Sequence, residues 1–195
     1  MNFSIISNNC WSQDLHIDLN IPYTTPFVDI LIFEDYIEIV RNIDNIDFNN
    51  IKLLNENESK FFNRLPKTRS YAVPGVLLDD SFEINPIHVK SWDEFQSKWL
   101  RRSKRLNFDN LIVKISQRDG ITREDIAYLA NDFINNKCNF HKLIVYGDYL
   151  LKSKFNSNNF DKKLLIIDSN KIDDTGQLDD DYTQKELIKK FILNE

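Results

Sequence analysis

The sequence predicts one α/β domain spanning residues 1–195, a single layered fold with a mostly parallel or mixed central sheet flanked by helices. Three observations predict it. Apolar runs of strand length alternate along the chain with segments of helical period. No internal repeat or low-complexity linker divides it. A chain of 195 residues suits one core, able to bury roughly 70% of its unfolded surface. The part from 150 to 195 is expected to add an accessory strand and helix.

The first strand is read at Phe3 to Ser7, an apolar run that Ser4 and Ser7 interrupt only lightly. Asn8-Asn9 supplies turn chemistry, and a short helix begins near Ser12. Pro22 and Pro26 make an irregular segment before a second apolar run, Phe27 to Phe33. Tyr36, Ile37, Ile39, Val40 and Ile43 then repeat at helical spacing from Glu34 to Asn45. The polar region Asn55 to Arg69 holds a second helix around Glu58 to Asn63. Tyr71 to Leu78 and Phe82 to Val89 read as strands with Pro74 and Pro86 at an edge or bulge, joined by a turn at Asp79-Asp80-Ser81. Ser91-Trp-Asp-Glu94 fits a capping box and opens a helix to Leu106. Its apolar stripe is Trp92, Phe95, Trp99 and Leu106. Lys98, Arg101, Arg102, Lys104 and Arg105 load its last turns, where cations favour the macrodipole. Leu111 to Ser116 is a strand dense in branched residues, and Arg118-Asp-Gly120 turns the chain. Thr122 caps a helix to Phe133, Leu143 to Tyr146 and Leu164 to Asp168 are buried strands, and Thr183 opens a final helix, Gln184 to Leu193. The acidic run Asp173 to Asp181 reads as a solvated loop.

Composition narrows the partners. With 25 basic against 30 acidic residues the net charge is −5, which argues against a general nucleic-acid binder. Two cysteines, Cys10 and Cys138, make no disulfide framework, and a reducing, cytoplasmic setting is the natural reading. No run has the length to span a bilayer and no signal peptide opens the chain, while association with a membrane surface stays open.

The residue best placed for chemistry is Cys10. It follows a strand and a turn, and in α/β folds ligands bind over the carboxyl edge of the sheet. A buried structural cysteine is the plainer reading of the spacing alone. His88 is the best base candidate among the histidines, at the end of a strand and close before a capped helix; His16 and His141 have weaker settings. Asp119 could orient an imidazole or form part of an ordinary Asp-Gly turn. No metal-ligand spacing and no glycine-rich phosphate cradle is present. The basic helix end reads either as a solvated face or as a site for a phosphorylated or anionic ligand, because arginine donates bidentate hydrogen bonds to phosphate.

The opening Phe3-Ser-Ile-Ile-Ser-Asn-Asn-Cys-Trp11 recurs in one order with Tyr23-Thr-Thr-Pro-Phe-Val28 and His88-Val-Lys-Ser91. Trp99-Leu-Arg-Arg102, Arg105, Asn110-Leu111 and Arg118-Asp-Gly120 continue the series. Together they resemble a family of bacterial exopolysaccharide and capsule biosynthesis proteins, from Asn2 to the strand ending near Tyr146. The family pattern has a further histidine three residues before the position of His88, where this chain has Asn85, so a mechanism needing two histidines there is not carried over. A looser likeness links the Asn-Cys pair to capsule acetyltransferases. The resemblance implies acetyl or acyl transfer to a sugar hydroxyl, with acetyl-coenzyme A as co-substrate and no bound cofactor. Its substrate would be a polysaccharide or lipid-linked oligosaccharide, and capsule-assembly proteins at the inner membrane surface would be its partners.

Joined to the residue reading, this gives an expected site. Cys10, or Ser7 in its place, is the nucleophile, His88 the general base and Asp119 an orienting carboxylate. Asn8, Asn9 and Trp11 would bind substrate or oxyanion, and Arg101, Arg102 and Arg105 the anionic part of the ligand. Direct transfer with His88 as the base, an esterase and a non-catalytic glycan-assembly scaffold stay open beside it.

Overall fold

The computed structural model describes residues 3–118, 120–147, 163–168 and 182–194. Within them the chain forms a parallel and an antiparallel sheet, each of four strands, with helices packed around them. The architecture is a single α/β domain, as the alternation of apolar runs predicts.

The parallel sheet is built from β1 (Ser4–Ser7), β6 (Leu111–Ser116), β7 (Lys142–Gly147) and β8 (Leu164–Asp168), in the order β1-β6-β7-β8. Every pair in it is parallel, with Ser7 opposite Lys114 and Ser116 opposite Tyr146. Strands buried on both faces read as near-continuous apolar runs, and these do. One face carries Ile6, Val113, Ile115, Leu143 and Val145 into the larger core, against α2 (Asp35–Arg41), α3 (Trp92–Ser103) and α4 (Arg123–Ile134). The other carries Ile5, Ile112, Ile144, Tyr146 and Ile167 against α1 (Trp11–Asp18) and α5 (Tyr182–Leu193).

The antiparallel sheet lies in the chain between α1 and α3. Its strands are β2 (Ile30–Leu31), β3 (Ile51–Leu54), β4 (Gly75–Leu78) and β5 (Phe82–Pro86), ordered β2-β5-β4-β3. Val76, Leu78 and Ile84 on one face enter the larger core. Three residues, Asp79 to Ser81, join Leu78 to its partner Phe82; positive φ at Asp79 (52°) and Asp80 (53°) turns the chain, and the Ser81 amide donates to the Leu78 carbonyl.

Several boundaries move. The apolar run Phe27 to Phe33 pairs only at Ile30 and Leu31, because the irregular segment before it is bonded to itself and to α1. Pro74 lies just before β4, and Pro86 ends β5 as a partner of Ile30, so His88 sits two residues past the strand. Glu58 to Asn63 forms no α-helix; a 3₁₀ turn covers Phe62–Arg64 instead. Helix α3 stops at Ser103, short of Leu106. Ser91 accepts the Glu94 amide and Thr122 closes a full capping box with Asp125, as their spacing predicts. Thr183 lies inside α5 and not at its cap. The acidic run from Asp173 to Asp181 is outside the described residues.

Candidate functional site

At the carboxyl edge of the parallel sheet the Asn8-Asn9 turn is held from below by side chains of β1 and β6. Asn8 acts as an extra strand residue: its Oδ1 accepts the Ser116 amide (3.0 Å) and its Nδ2 donates to the Ser116 carbonyl (3.3 Å). Its own carbonyl accepts the Ile32 amide, which ties the turn to the β2 segment. Asn9 Oδ1 accepts from Ser7 Oγ (3.1 Å), the Trp11 amide (3.3 Å) and Lys114 Nζ (2.9 Å). Lys114 also donates to Ser116 Oγ, and its ammonium lies 5.2 Å from the Trp11 ring centre and 4.8 Å from that of Tyr146. A buried ammonium needs such partners, because each unmet donor keeps its desolvation cost.

This network places Cys10. The residue occupies the N-cap position of α1, where helix dipole and free amides favour negative charge, without capping through its side chain. It is half-buried, and its thiol donates toward the Ile30 carbonyl (3.8 Å). Ile30 pairs with Pro86, and this register brings the segment carrying His88 to the same edge as Cys10.

The expected residues divide into those that build the turn and those that face solvent. Ser7 and Asn8 are fully buried, Asn9 nearly so, and all three are committed to the turn. Trp11 is buried edge-on against Tyr146 at 5.3 Å, a packing residue beneath the site. His88 is exposed, and Arg69 Nη1 lies 3.3 Å from its Nδ1. A guanidinium only donates, so Nδ1 accepts and the ring proton sits on Nε2. Asp119 lies outside the described residues. The basic helix end separates too. Arg101 is exposed, whereas Arg102 is buried over the Tyr23 ring (4.8 Å) near Asp29, and Arg105 donates to the Tyr23 carbonyl (3.2 Å). Two of the three arginines read as ligand contacts thus anchor the segment before β2. Burial lowers the Arg102 pKa and neighbouring Asp29 opposes that shift.

Lys114, Ser116 and Tyr146 escaped the sequence reading. The signal was a lysine inside the run Leu-Ile-Val-Lys-Ile-Ser, which a fully buried strand does not tolerate without partners. Lys142 on the same face has an ordinary explanation: its ammonium caps the end of α5, donating to the carbonyls of Phe191 and Ile192 and to Asn194 Oδ1. Lys114 meets the turn below Cys10 instead. Burial pushes the Tyr146 hydroxyl pKa up, and among the described residues that hydroxyl has no hydrogen-bond partner. His16, rated weak from sequence, is fully buried. Its Nε2 accepts the Thr24 amide (3.4 Å), so Nδ1 carries the proton and donates to the Ser12 carbonyl (2.5 Å).

Among the described residues no helix is long and apolar enough to cross a membrane, and no three His, Cys, Asp or Glu side chains gather in a way that could hold a metal. The chain is similar to a Haemophilus influenzae protein described as an uncharacterized protein, with 32% identity over 140 residues. That stretch covers 71% of this chain and 62% of the relative. A family model described as a domain of unknown function, DUF1919, matches residues 1–192, and the chain belongs to that family.

Proposed function

We propose that this protein is a thiol-dependent acyltransferase of bacterial surface-polysaccharide assembly, working at the cytoplasmic face of the membrane beside other capsule-assembly proteins. Acetyl-coenzyme A is the donor, and a sugar hydroxyl of a polysaccharide or lipid-linked oligosaccharide is the acceptor. The observation that carries the reading is Cys10: a half-buried thiol on a turn fixed by Asn8, Asn9 and Lys114, at the sheet edge where α/β folds bind ligands. The sequence resemblance to capsule biosynthesis proteins supports the pathway.

In this reading the Cys10 sulfur attacks the thioester carbonyl and coenzyme A leaves with the thiol proton. The sugar oxygen then attacks the acyl-cysteine, and its proton returns to the Cys10 sulfur as the carbon–sulfur bond breaks. Because the Asn8 and Asn9 side chains are committed to the turn, backbone amides would meet the oxyanion. A general-base role for His88 requires the Arg69 N–H to leave Nδ1.

Incubation with radiolabelled acetyl-coenzyme A tests this. Label on Cys10 in the native protein, absent from Cys10→Ala, is the expected result. Capsule acetylation unchanged by Cys10→Ala combined with His88→Ala would replace the proposal with a non-catalytic role.

A further inference from the structure

Beside Cys10 the chain makes a closed loop from Pro66 to Tyr71, its ends tied by the Tyr71 hydroxyl donating to the Pro66 carbonyl at 2.9 Å. Pro66, Lys67, Thr68, Arg69 and Ser70 are all exposed. The loop offers two cations and two hydroxyls and no carboxylate, in a chain whose acidic residues outnumber the basic ones 30 to 25. Among the described residues neither Lys67 nor Arg69 forms an ion pair. Arg41, Arg64 and Arg102, by contrast, each lie against a carboxylate. Arg69 rests on His88 Nδ1, an acceptor far weaker than an anion, and this leaves the His88 Nε2–H pointing away as a second donor. The Arg69–His88 contact sets the loop at the thiol's edge of the fold, since His88 lies two residues past Pro86, the partner of Ile30, whose carbonyl the Cys10 thiol faces; Tyr71 agrees. Burial raises its pKa, Arg69 lowers it and the charge of Cys10 raises it, so all three share one neighbourhood.

We infer that the loop of Lys67, Thr68, Arg69 and Ser70, together with His88, binds a phosphate group of the substrate that reaches Cys10. Donors arriving from two directions, a guanidinium fork and an imidazole N–H, suit a tetrahedral oxyanion with acceptors on every side. A planar carboxylate uses such a pair less well. The loop hydroxyls add donors that a tetrahedral group also accepts. The phosphate belongs either to coenzyme A or to a glycosyl phosphate. The inference names the ligand chemistry of the site assigned above to acyl transfer and rests on that reading for its role, but phosphate binding is measurable without turnover.

The probe is inorganic pyrophosphate, titrated into the full chain while the His88 ring signals are followed by NMR. Saturable binding is expected, weakened about tenfold or more in Arg69→Ala, as loss of a charge-assisted bond implies. Lys52→Ala, exposed on the edge strand β3, is expected to bind as the wild type does, and so is Cys10→Ala. Saturable, Arg69-dependent binding beside a wild-type protein that takes no acetyl label on Cys10 would sink the acyltransferase and leave the phosphate site standing. Coenzyme A and a hexose 1-phosphate are then competed against pyrophosphate, and the one that displaces it in an Arg69-dependent way identifies the source. Equal affinity in wild type and Arg69→Ala, no saturable binding, or competition by neither compound overturns the inference.

Discussion

The two cysteines stand at opposite edges of one parallel sheet and differ in everything but residue type. Cys10 follows the carboxyl end of β1, half-buried on a turn and at the start of a helix. Cys138 precedes the amino end of β7, buried against Phe140 and lining an open cavity of about 620 Å³ with Asp44, Asp109 and His141. That cavity has several ionisable groups in view, yet its thiol is the one expected to stay unreactive. Burial, then the nearby Asp132 carboxylate, push the Cys138 pKa up to about 11, so the thiolate is scarce at neutral pH. What separates the two is the strand direction: a parallel sheet points loops and helix N-termini at its carboxyl edge, and there the buried lysine, the asparagines and the cationic loop converge.

The comparison breaks most severely at Lys114. Lys114→Ala opens a cavity and takes one donor each from Asn9 Oδ1 and Ser116 Oγ, with an expected loss of about 3 kcal/mol in chemical denaturation. Lys114→Met keeps the volume; it is expected to fold and to slow Cys10 alkylation several-fold, because the turn loses its central donor. Unchanged Cys10 alkylation in folded Lys114→Met would make the lysine irrelevant to the thiol.

Next in size is Gly120, whose φ of +83° only glycine adopts freely. A Cβ there would run into the Arg64–Glu34 ion pair, which packs beneath the loop after β6. Gly120→Ala is expected to lower the melting temperature by several degrees, equivalent to about 1–2 kcal/mol. The same replacement at a solvated turn costs a fraction of that.

A pH titration sharpens the contrast further. Burial lowers the His16 pKa below 6.5, against the opposing pull of the Ser12 carbonyl, so the folded state keeps the ring neutral. The unfolded chain takes up a proton below pH 6.5 that the native chain refuses. Stability is therefore full above that pH, falls as pH drops below it and levels off under the folded pKa. His16→Gln is expected to flatten that limb of a pH–stability curve measured by urea denaturation. An unaltered slope would remove His16 as its cause.

The smallest effect belongs to the amino edge. Cys138→Ala is expected to cost about 1 kcal/mol through lost burial and to leave Cys10 alkylation and any acyl transfer untouched.

Where chemistry and burial agree locally, the residues announce the fold. The β6 and β8 runs, the Ser91 and Thr122 caps and the Asp79-Asp80 turn depend on nearest neighbours, and their spacing carries them. The second sheet was not legible as such. Strand β3 is an edge strand with Lys52 and Leu53 exposed and no alternation to read, and β2 pairs over two residues only. At the site, Cys10 was legible because a turn follows a strand. Lys114 was not singled out, although its charge in an apolar run is a sharper anomaly than any motif. The arginines misled for a physical reason: a charge at a helix end looks solvated until a partner such as Tyr23 arrives from a distant segment.

The account stands on the unequal thiols, and timed alkylation of the native protein with iodoacetamide at neutral pH, read by peptide mass spectrometry, tests it directly. Carbamidomethyl is expected on Cys10 within minutes, with Cys138 unmodified until denaturant is added. Equal labelling of the two, or Cys138 labelled first, would contradict it.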